Sequence, residues 1–514
     1  MTESTSPPPD RAAGSVVVVG AGPCGLAMAC ELLQQGVPVR VLEAREDRAV
    51  GSRAVQLWPL GLEVLRSVGV LDEALRRGVR IHSNIYHLRG RLLTVTLGAD
   101  HEPLMLPQEQ TMELLEGALE RLGGRVERGA RVTAVEPTAT GVTAKAEGPS
   151  GVTELVHADW LIGADGVHSV VREQVGIDFP GSRLPLDFLL AEGRIDSDLR
   201  PGTMHYYLGP AGSAVVGPMP GGRTRASGVL APGFSLTAEA VQAFLDERTG
   251  GDLRVAELDT LGTFATAERI ASGMRRGRVF LVGDAAHTHT PVGGQGLNLG
   301  LQDVHNLAWK LAGVINGRYA PAILDTYEPE RLRAARQIVS TTHWMIKMFT
   351  LGPIASRVQN ASWNLLGATG VLRRWFVPLL AGRRVDYPDA LLLARDGGSG
   401  RRLRALLGLA LLGLPLPGTR LPRWVPGAAP GAEPGFRLLT VGRADSALAR
   451  RGRRLAQAHG TAVRHEHFRR RTTSGFLLLR PDGYVAASGA QPGGLDRLER
   501  LLTQLIAAPE TATA

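Results

Sequence analysis

The stretch "VVVVGAGPCG", residues 16–25, places four consecutive valines directly before a glycine-rich turn. A short run of β-branched residues that ends in glycine predicts a buried strand. An alanine- and leucine-rich segment predicts the helix that follows the turn, and "PVRVLEA" (38–44) predicts the next strand. Strand, helix and strand in this order form a βαβ unit, so the sequence predicts an α/β fold that opens on a parallel sheet.

The turn itself has the spacing GxGxxG, with glycines at 20, 22 and 25. Glycines at these positions permit a tight turn and let the helix N-terminus approach a pyrophosphate. Glu43, at the end of the second predicted strand, is placed to accept hydrogen bonds from an adenosine ribose. The alternative is an ordinary tight turn between a strand and a helix. Because strand, helix and acidic residue are all in register, we expect a dinucleotide site.

Charge and length limit the classes of function. The chain has 514 residues, a net charge of +9 and a pI near 10.1, a balance found in nucleic-acid-binding proteins. However, only three of its 58 basic residues are lysines, and the arginines are scattered along the chain. We therefore expect an arginine-rich solvated surface and no nucleic-acid partner. The length predicts about three domains.

Cysteine content and apolar runs indicate the compartment. The only cysteines, Cys24 and Cys30, form neither a disulfide framework nor a zinc motif, which predicts a reducing, cytoplasmic location. The first 14 residues lack the apolar core of a signal peptide, and we expect them to be disordered. The most apolar run, residues 406–417, is too short to span a bilayer. No membrane partner is expected.

The pattern along the chain changes several times. A helix is predicted over 108–126 and a strand over 158–166. Alternating, turn-punctuated segments from about 176 to 270 indicate an inserted antiparallel sheet, on which Tyr206 and Tyr207 cannot both face a substrate because neighbouring side chains alternate. A Pro/Gly-rich linker is predicted at 414–435, before a small α/β module.

The segment "GDAAHTHTPVGGQGLN" (283–298) permits two interpretations. Asp284, His287 and His289 are residue types that a transition metal prefers. Alternatively, a glycine-rich turn that enters a helix is suited to an anionic cofactor.

Several ordered segments resolve this choice. They are "GSRAVQLWP" (51–59), "LPQEQTMELL" (106–115), "LIGADGVHSVVR" (161–172), "GDAAHTHTPVGGQGLNLGLQDVHNLAWKLA" (283–312) and "LDTYEPER" (324–331). Together with GxGxxG, these segments resemble the class A flavoprotein monooxygenases, the group typified by para-hydroxybenzoate hydroxylase. The resemblance is closer to the bacterial aromatic polyketide hydroxylases, and it covers nearly the whole chain. "RPDGYVA" (480–486) resembles the thioredoxin-like C-terminal domain that such enzymes often carry.

This resemblance implies an α/β architecture of three domains. A Rossmann-like FAD-binding domain of the GR2 type would comprise residues 15–175 and 271–395. A mixed or antiparallel β-sheet domain for the substrate would be inserted at 176–270. A thioredoxin-like domain would occupy 396–514; it has no CxxC motif, so we expect a structural or dimerisation role.

The resemblance also implies non-covalent FAD. Glu43 would hold the ribose, Arg53 and Gln108 would follow the pyrophosphate and ribityl chain, and Asp284 would bind the ribityl or pyrophosphate region. The full set of expected cofactor contacts is Gly20, Gly22, Pro23, Cys24, Gly25, Glu43, Ala44, Arg45, Arg53, Gln108, Asp165, Gly283, Asp284, Pro291, Gly294, Gly296, Leu297 and Asn298. Arg53, Asp165 and Arg172 would shape the groove shared with the nicotinamide.

In this interpretation, residues 283–298 form a flavin loop and hold no metal. Backbone N–H groups around Gly294, Gln295 and Gly296 would face the flavin, with Pro291 near its reactive carbon, and the two histidines would have structural or hydrogen-bonding roles. These four residues form the expected catalytic environment, and no catalytic base is assigned.

The implied reaction uses NADPH, with NADH as the alternative reductant, and O₂. A C4a-hydroperoxyflavin would hydroxylate an electron-rich phenolic ring, expected to be a polycyclic polyketide of secondary metabolism. The same fold also supports Baeyer–Villiger insertion, epoxidation and antibiotic modification, and a non-enzymatic FAD-binding scaffold is a further alternative. A monomer or a homodimer is expected.

Overall fold

The computed structural model describes residues 14–48, 54–88, 91–209, 212–349, 358, 361–363, 365–367, 369–387, 414–420, 425, 435–470 and 473–506. Arg53, nearly all of the predicted disordered N-terminus and most of the predicted linker lie outside these ranges. The chain forms two compact units. The first comprises residues 1–30, 39–304 and 335–383, and the second comprises 31–38, 305–334 and 384–514. This division differs from the three predicted domains, whose boundaries stay a prediction.

The strands of the described residues are β1 (Val16–Val19), β2 (Val39–Glu43), β3 (Gln56–Leu57), β4 (Val79–Arg80), β5 (Ser83–Leu88), β6 (Arg91–Thr96), β7 (Leu104–Met105), β8 (Val126–Arg128), β9 (Arg131–Pro137), β10 (Val142–Glu147), β11 (Thr153–Ala158), β12 (Trp160–Gly163), β13 (Gly181–Asp196), β14 (Thr203–Gly209), β15 (Gly212–Met219), β16 (Arg223–Val229), β17 (Arg254–Ile270), β18 (Arg275–Arg276), β19 (Val279–Leu281), β20 (His287–Thr288), β21 (Phe436–Val441), β22 (Val463–Phe468), β23 (Gly475–Leu479) and β24 (Val485–Gly489). The α-helices are α1 (Pro23–Leu33), α2 (Pro59–Ser67), α3 (Leu71–Arg77), α4 (Gln108–Arg121), α5 (Val170–Gln174), α6 (Ala238–Thr249), α7 (Gly296–Ile315), α8 (Tyr327–Phe349), α9 (Val377–Leu380), α10 (Ala447–Ala458) and α11 (Gly493–Leu505). None of these helices is long and apolar enough to cross a bilayer.

The first unit contains the parallel sheet predicted from the βαβ unit. Its strand order is β18-β19-β12-β1-β2-β8, and every pair is parallel except β18–β19. All four valines of β1 are buried, as their position in the middle of the sheet requires. The predicted helix over 108–126 ends earlier, at Arg121, because Gly123 adopts a left-handed φ of 81° that an α-helix cannot continue through.

The same unit also contains a mixed sheet of eight strands. Its order is β20-β17-β13-β16-β15-β14-β5-β6, so it includes strands from outside the predicted 176–270 segment. One face of β13–β16 packs on α6 through Leu189, Tyr207, Ala214, Val216 and Ala226. The opposite face carries Met204, Tyr206 and Met219 in a separate core. The predicted alternation of Tyr206 and Tyr207 is therefore confirmed.

The second unit contains a sheet of order β22-β21-β23-β24. Strands β21 and β22 are parallel, whereas β21–β23 and β23–β24 are antiparallel.

The second unit also buries a cluster of charged side chains, which consists of Arg480, Glu330, Asp482 and Lys310. Arg480 donates to both oxygens of Glu330, at 2.5 and 2.8 Å, and Lys310 Nζ donates to Glu330 Oε2 at 2.9 Å. Although burial favours the neutral acid, the two cations lower the pKa of Glu330 to about 2.

Candidate active site

A cavity of about 1080 Å³ in the first unit connects the glycine turn with the eight-stranded sheet. Thirteen of the predicted site residues line it: Gly22, Pro23, Cys24, Glu43, Arg45, Gln108, Asp165, Asp284, Pro291, Gly294, Gln295, Gly296 and Leu297. Distant parts of the sequence therefore meet around one space. Gly20, Gly25, Ala44, Gly283, Asn298 and Arg172 are not among its lining residues.

The three glycines of the turn have different surroundings. Gly20 has φ = 100°, and a Cβ there would lie 2.4 Å from the Ala164 carbonyl oxygen. A Cβ on Gly25 would lie 1.9 Å from the Gly20 carbonyl oxygen. A Cβ on Gly22 would meet no atom within 4 Å, and Gly22 lines the cavity. The outer glycines thus permit the packing of strand and helix, while the middle one leaves space for a ligand at the start of α1.

Glu43 lies at the carboxyl end of β2, on the cavity wall. Its carboxylate accepts hydrogen bonds from the Ala21 N–H at 2.8 Å and the Arg45 N–H at 3.0 Å. Arg45 Nε is 3.5 Å from the same carboxylate. The carboxylate is therefore held at the glycine turn, where an acceptor for ribose hydroxyls is required.

Cys24 packs against the other loop of the site. Its sulfur lies where side chains on Gly283 or Gly300 would project, at 2.8 and 2.6 Å from those Cβ positions. Burial and the nearby carboxylates of Asp303 and Asp284 raise the pKa of the thiol. Cys24 is thus a protonated packing residue that joins α1 to the turn at 283 and to α7. Gly283 has φ = 61° and contributes to this close packing behind the cavity wall.

The histidines of the 283–298 segment have separate partners. His287 Nε2 lies 2.7 Å from Asp303 Oδ2, which also accepts the Gly283 N–H at 2.9 Å. His289 Nδ1 lies 2.7 Å from the Thr290 carbonyl oxygen. Asp284 is exposed on the cavity wall. Across the described ranges, no group of three or more His, Cys, Asp or Glu side chains is arranged to hold a metal ion.

Asn298 is a predicted cofactor contact that does not line the cavity, and that contact stays a prediction. Its Oδ1 accepts the Trp58 N–H at 2.7 Å, and its Nδ2 donates at 2.8 Å to the carbonyls of Gln56 and Gly294. The buried amide therefore has its bonds inside the protein and fixes the loop that precedes α7. Gln295 also supports this loop, since its Nε2 donates to the Leu380 carbonyl at 2.5 Å.

Arg172 likewise does not reach the cavity. The side chain is buried, and it donates to the carbonyls of Ala285 and Val167 at 2.9 and 3.1 Å. Its guanidinium also lies 4.0 Å from the centre of the Phe179 ring. Arg172 therefore supports the turn at 283–285 from behind, and its role in the nicotinamide groove stays a prediction.

Asp165, the other described residue predicted for the nicotinamide groove, does line the cavity. However, its carboxylate accepts the Ser169 hydroxyl at 2.6 Å and the Val171 N–H at 3.0 Å. Burial raises its pKa, although these hydrogen bonds oppose the shift. Asp165 therefore also stabilises the N-terminus of α5.

The sheet side of the cavity is largely apolar and was not assigned residue by residue from the sequence. The lining side chains of β13–β16 are Arg183, Phe188, Leu190, Met204, Tyr206, Ser213, Val215, Arg225, Ser227 and Val229. Tyr206 stacks on Tyr86 with ring centres 4.9 Å apart, and Trp363 meets Tyr86 edge-on at 4.8 Å. Arg225 is ion-paired with Glu192. The alternation of side chains along each strand predicts two sets of residues on opposite faces of the sheet. Which set lines the cavity depends on which face packs on α6, and the sequence alone does not show this.

Three lining residues of β17 and β20 bear polar atoms that find no partner among the described residues. These buried atoms are Thr266 Oγ1 and Arg269 Nε on β17 and Thr288 Oγ1 on β20. An unpaired buried polar atom costs about 1–3 kcal/mol, so this wall is suited to a polar ligand.

Comparison with known proteins agrees with this geometry. Residues 14–342 match the family described as FAD binding domain. The 6-methylpretetramide 4-monooxygenase of Streptomyces rimosus is 31% identical over 98% of this chain and 96% of its own length. The 12-dehydrotetracycline 5-monooxygenase/anhydrotetracycline 6-monooxygenase of Streptomyces rimosus is 34% identical over 94% of this chain and 97% of its own. The structure of OxyS anhydrotetracycline hydroxylase from Streptomyces rimosus has a TM-score of 0.74 at 29% identity, over 96% of this chain and 99% of that one. The chain therefore belongs to the FAD binding domain family and is an FAD-dependent monooxygenase.

Proposed function

We propose that this enzyme uses FAD, NADPH and O₂ to hydroxylate an electron-rich ring of a polycyclic aromatic polyketide. The observation that carries the proposal is the continuity of one cavity from the glycine turn to the apolar sheet wall. Drug-sized pockets commonly have about 300–1000 Å³, so a space of about 1080 Å³ is suited to a polycyclic ring system beside a cofactor. The relatives named for tetracycline-type intermediates support the same substrate class.

The residues of the cavity fit FAD. Gly22 leaves open space at the N-terminus of α1, where backbone N–H groups attract a pyrophosphate. Glu43 would accept hydrogen bonds from the hydroxyls of the adenosine ribose, while Gln108 and Asp284 would face the ribityl chain. Bound FAD supplies the redox and oxygen-activating chemistry, with electrons from NADPH.

The chain contributes positioning and electrostatics. Helix α7 begins at Gly296 on the cavity wall, and the positive end of a helix favours negative charge on a nearby ring. Pro291, Gly294 and Gln295 would form the remaining loop environment. The apolar face that contains Tyr206 would exclude water from the reacting ring.

The C-terminal module is best interpreted as thioredoxin-like. Its elements run β21-α10-β22-β23-β24-α11, with a parallel first pair and antiparallel later pairs, which supports that assignment for 396–514. In the absence of a CxxC motif in the sequence, we propose a structural or dimerisation role. A cytoplasmic location and a monomeric or dimeric state are part of the same proposal.

Mass spectrometry under ¹⁸O₂ tests the function. The FAD-loaded enzyme is incubated with NADPH and, in turn, with anhydrotetracycline and a panel of polycyclic phenols. One labelled oxygen atom on a ring carbon is the expected product, and faster oxidation of NADPH than of NADH is expected. Label in a lactone would instead demonstrate Baeyer–Villiger insertion, and NADPH consumption that yields only hydrogen peroxide across the panel would contradict the proposed substrate class.

A further inference from the structure

His289 lies within the flavin loop, next to the last strand of the eight-stranded sheet. It follows β20 and lines the cavity. A Cβ added to Gly296, the first residue of α7, would lie 3.6 Å from His289 Nε2. This ring nitrogen therefore lies beside the positive end of α7, and the residue lines the part of the cavity that we assign to the flavin.

The hydrogen bond to Thr290 determines the tautomer of this ring. A carbonyl oxygen can only accept, so His289 Nδ1, at 2.7 Å from the Thr290 oxygen, must carry the proton. Burial lowers the pKa of His289 to about 4, and the ring is neutral near pH 7. Nε2 consequently presents a lone pair and can only accept a hydrogen bond.

No donor to this lone pair is found among the described residues. Nε2 is buried and unpartnered, and so is the hydroxyl oxygen of neighbouring Thr290. An acceptor buried without a donor destabilises the protein throughout its lifetime. A resident group removes that penalty permanently, whereas a transient substrate removes it only during turnover. The donor is therefore better sought in the cofactor than in the substrate.

We propose that His289 Nε2 accepts a hydrogen bond from the imide N–H of the FAD isoalloxazine ring. This inference rests on the assignment of the 283–298 segment to the flavin. The oxidised isoalloxazine has a single N–H donor, so the site would select one orientation of the ring edge. His289 is then a binding residue that orients the cofactor. Such a bond would also stabilise the neutral imide against deprotonation.

The experiment compares native protein with His289→Leu and His289→Gln. Leucine removes the acceptor, while glutamine can return a carbonyl oxygen at a similar reach. His157→Leu is the matched control, because His157 is exposed on β11, where it bonds Thr143. FAD affinity is measured by fluorescence quenching of added FAD, and the alkaline pH at which the bound imide deprotonates is followed by absorbance. Thermal melting of each apoprotein verifies folding.

For His289→Leu we expect a threefold to tenfold weaker FAD affinity and a lower imide pKa, with both properties largely restored in His289→Gln. The control should match the native protein. The proposal is overturned if His289→Leu leaves the imide pKa unchanged and the FAD affinity within twofold. It is equally overturned if a folded His289→Gln variant, which keeps an acceptor, shows the tenfold weaker FAD affinity and the lower imide pKa expected of leucine. That failure is distinguishable from failure of the proposed function, because FAD binding and NADPH oxidation by the native protein are recorded in the same series.

Discussion

Alanine at Gly22 and alanine at Gly25 add the same methyl group, yet opposite results are expected. At Gly22 the methyl meets no atom within 4 Å, so the apoprotein should keep its stability within about 0.5 kcal/mol. The added methyl group, however, would fill the space where the pyrophosphate approaches the start of α1. The pyrophosphate should therefore lose a charge-assisted hydrogen bond and part of its attraction to the positive end of the helix. We expect about 3 kcal/mol of lost binding free energy, or about a 100-fold weaker FAD affinity.

At Gly25 the same methyl would lie 1.9 Å from the Gly20 carbonyl oxygen. The strand and helix must separate to accept it, which costs about 1–3 kcal/mol of unfolding free energy. Urea denaturation of each apoprotein and titration with FAD measure the two effects separately. A Gly22→Ala variant that binds FAD within threefold of the native protein would refute the reasoning about the middle glycine. A Gly25→Ala apoprotein of native stability would refute the reasoning about close packing.

Three other predictions concern stability. Asn298→Ala should lower the free energy of unfolding by about 3 kcal/mol in urea denaturation, because a buried amide loses three hydrogen bonds although it does not line the cavity. Glu330→Gln should cost about 3–5 kcal/mol in the same assay, since it leaves Arg480 with a single carboxylate partner. Asp445→Asn, in an exposed pair, should leave the stability nearly unchanged. Burial lowers the pKa of both His205 and His289 to about 4, so the unfolded chain binds more protons between about pH 6.5 and 4. Stability should fall as the pH falls through this window, by about 2 kcal/mol per histidine at pH 5, and a double variant without these histidines should lose most of that pH dependence.

The sequence was most informative where structure is local. The valine run, the glycine turn and Glu43 determine a strand, a turn and a strand end within 28 residues, and all three form as predicted. The expected FAD-dependent monooxygenase family is confirmed by the comparisons. The strand, the turn and the strand end are predictable because each depends on the backbone preferences of residues that are neighbours in the sequence.

The orientation of individual side chains near the site was less predictable. Asn298 and Arg172 lie in segments typical of the family, but neither lines the cavity, and both donate to backbone carbonyls of residues distant in the sequence. Neither partner can be identified before the tertiary structure brings β3 to α7 or the turn at 285 to α5. The tautomer of His289 and the exposed face of β13–β16 depend on tertiary contacts in the same way.

The alternation on β13–β16 has a consequence for how this enzyme can change. Side chains that face the cavity and side chains that pack on α6 come from neighbouring positions of the same strands, as Tyr206 and Tyr207 illustrate. A library that varies only the cavity-facing positions leaves the packed face intact. Evolution, natural or in the laboratory, can therefore explore new ring systems on one side of the sheet while the scaffold that supports them is inherited unchanged on the other.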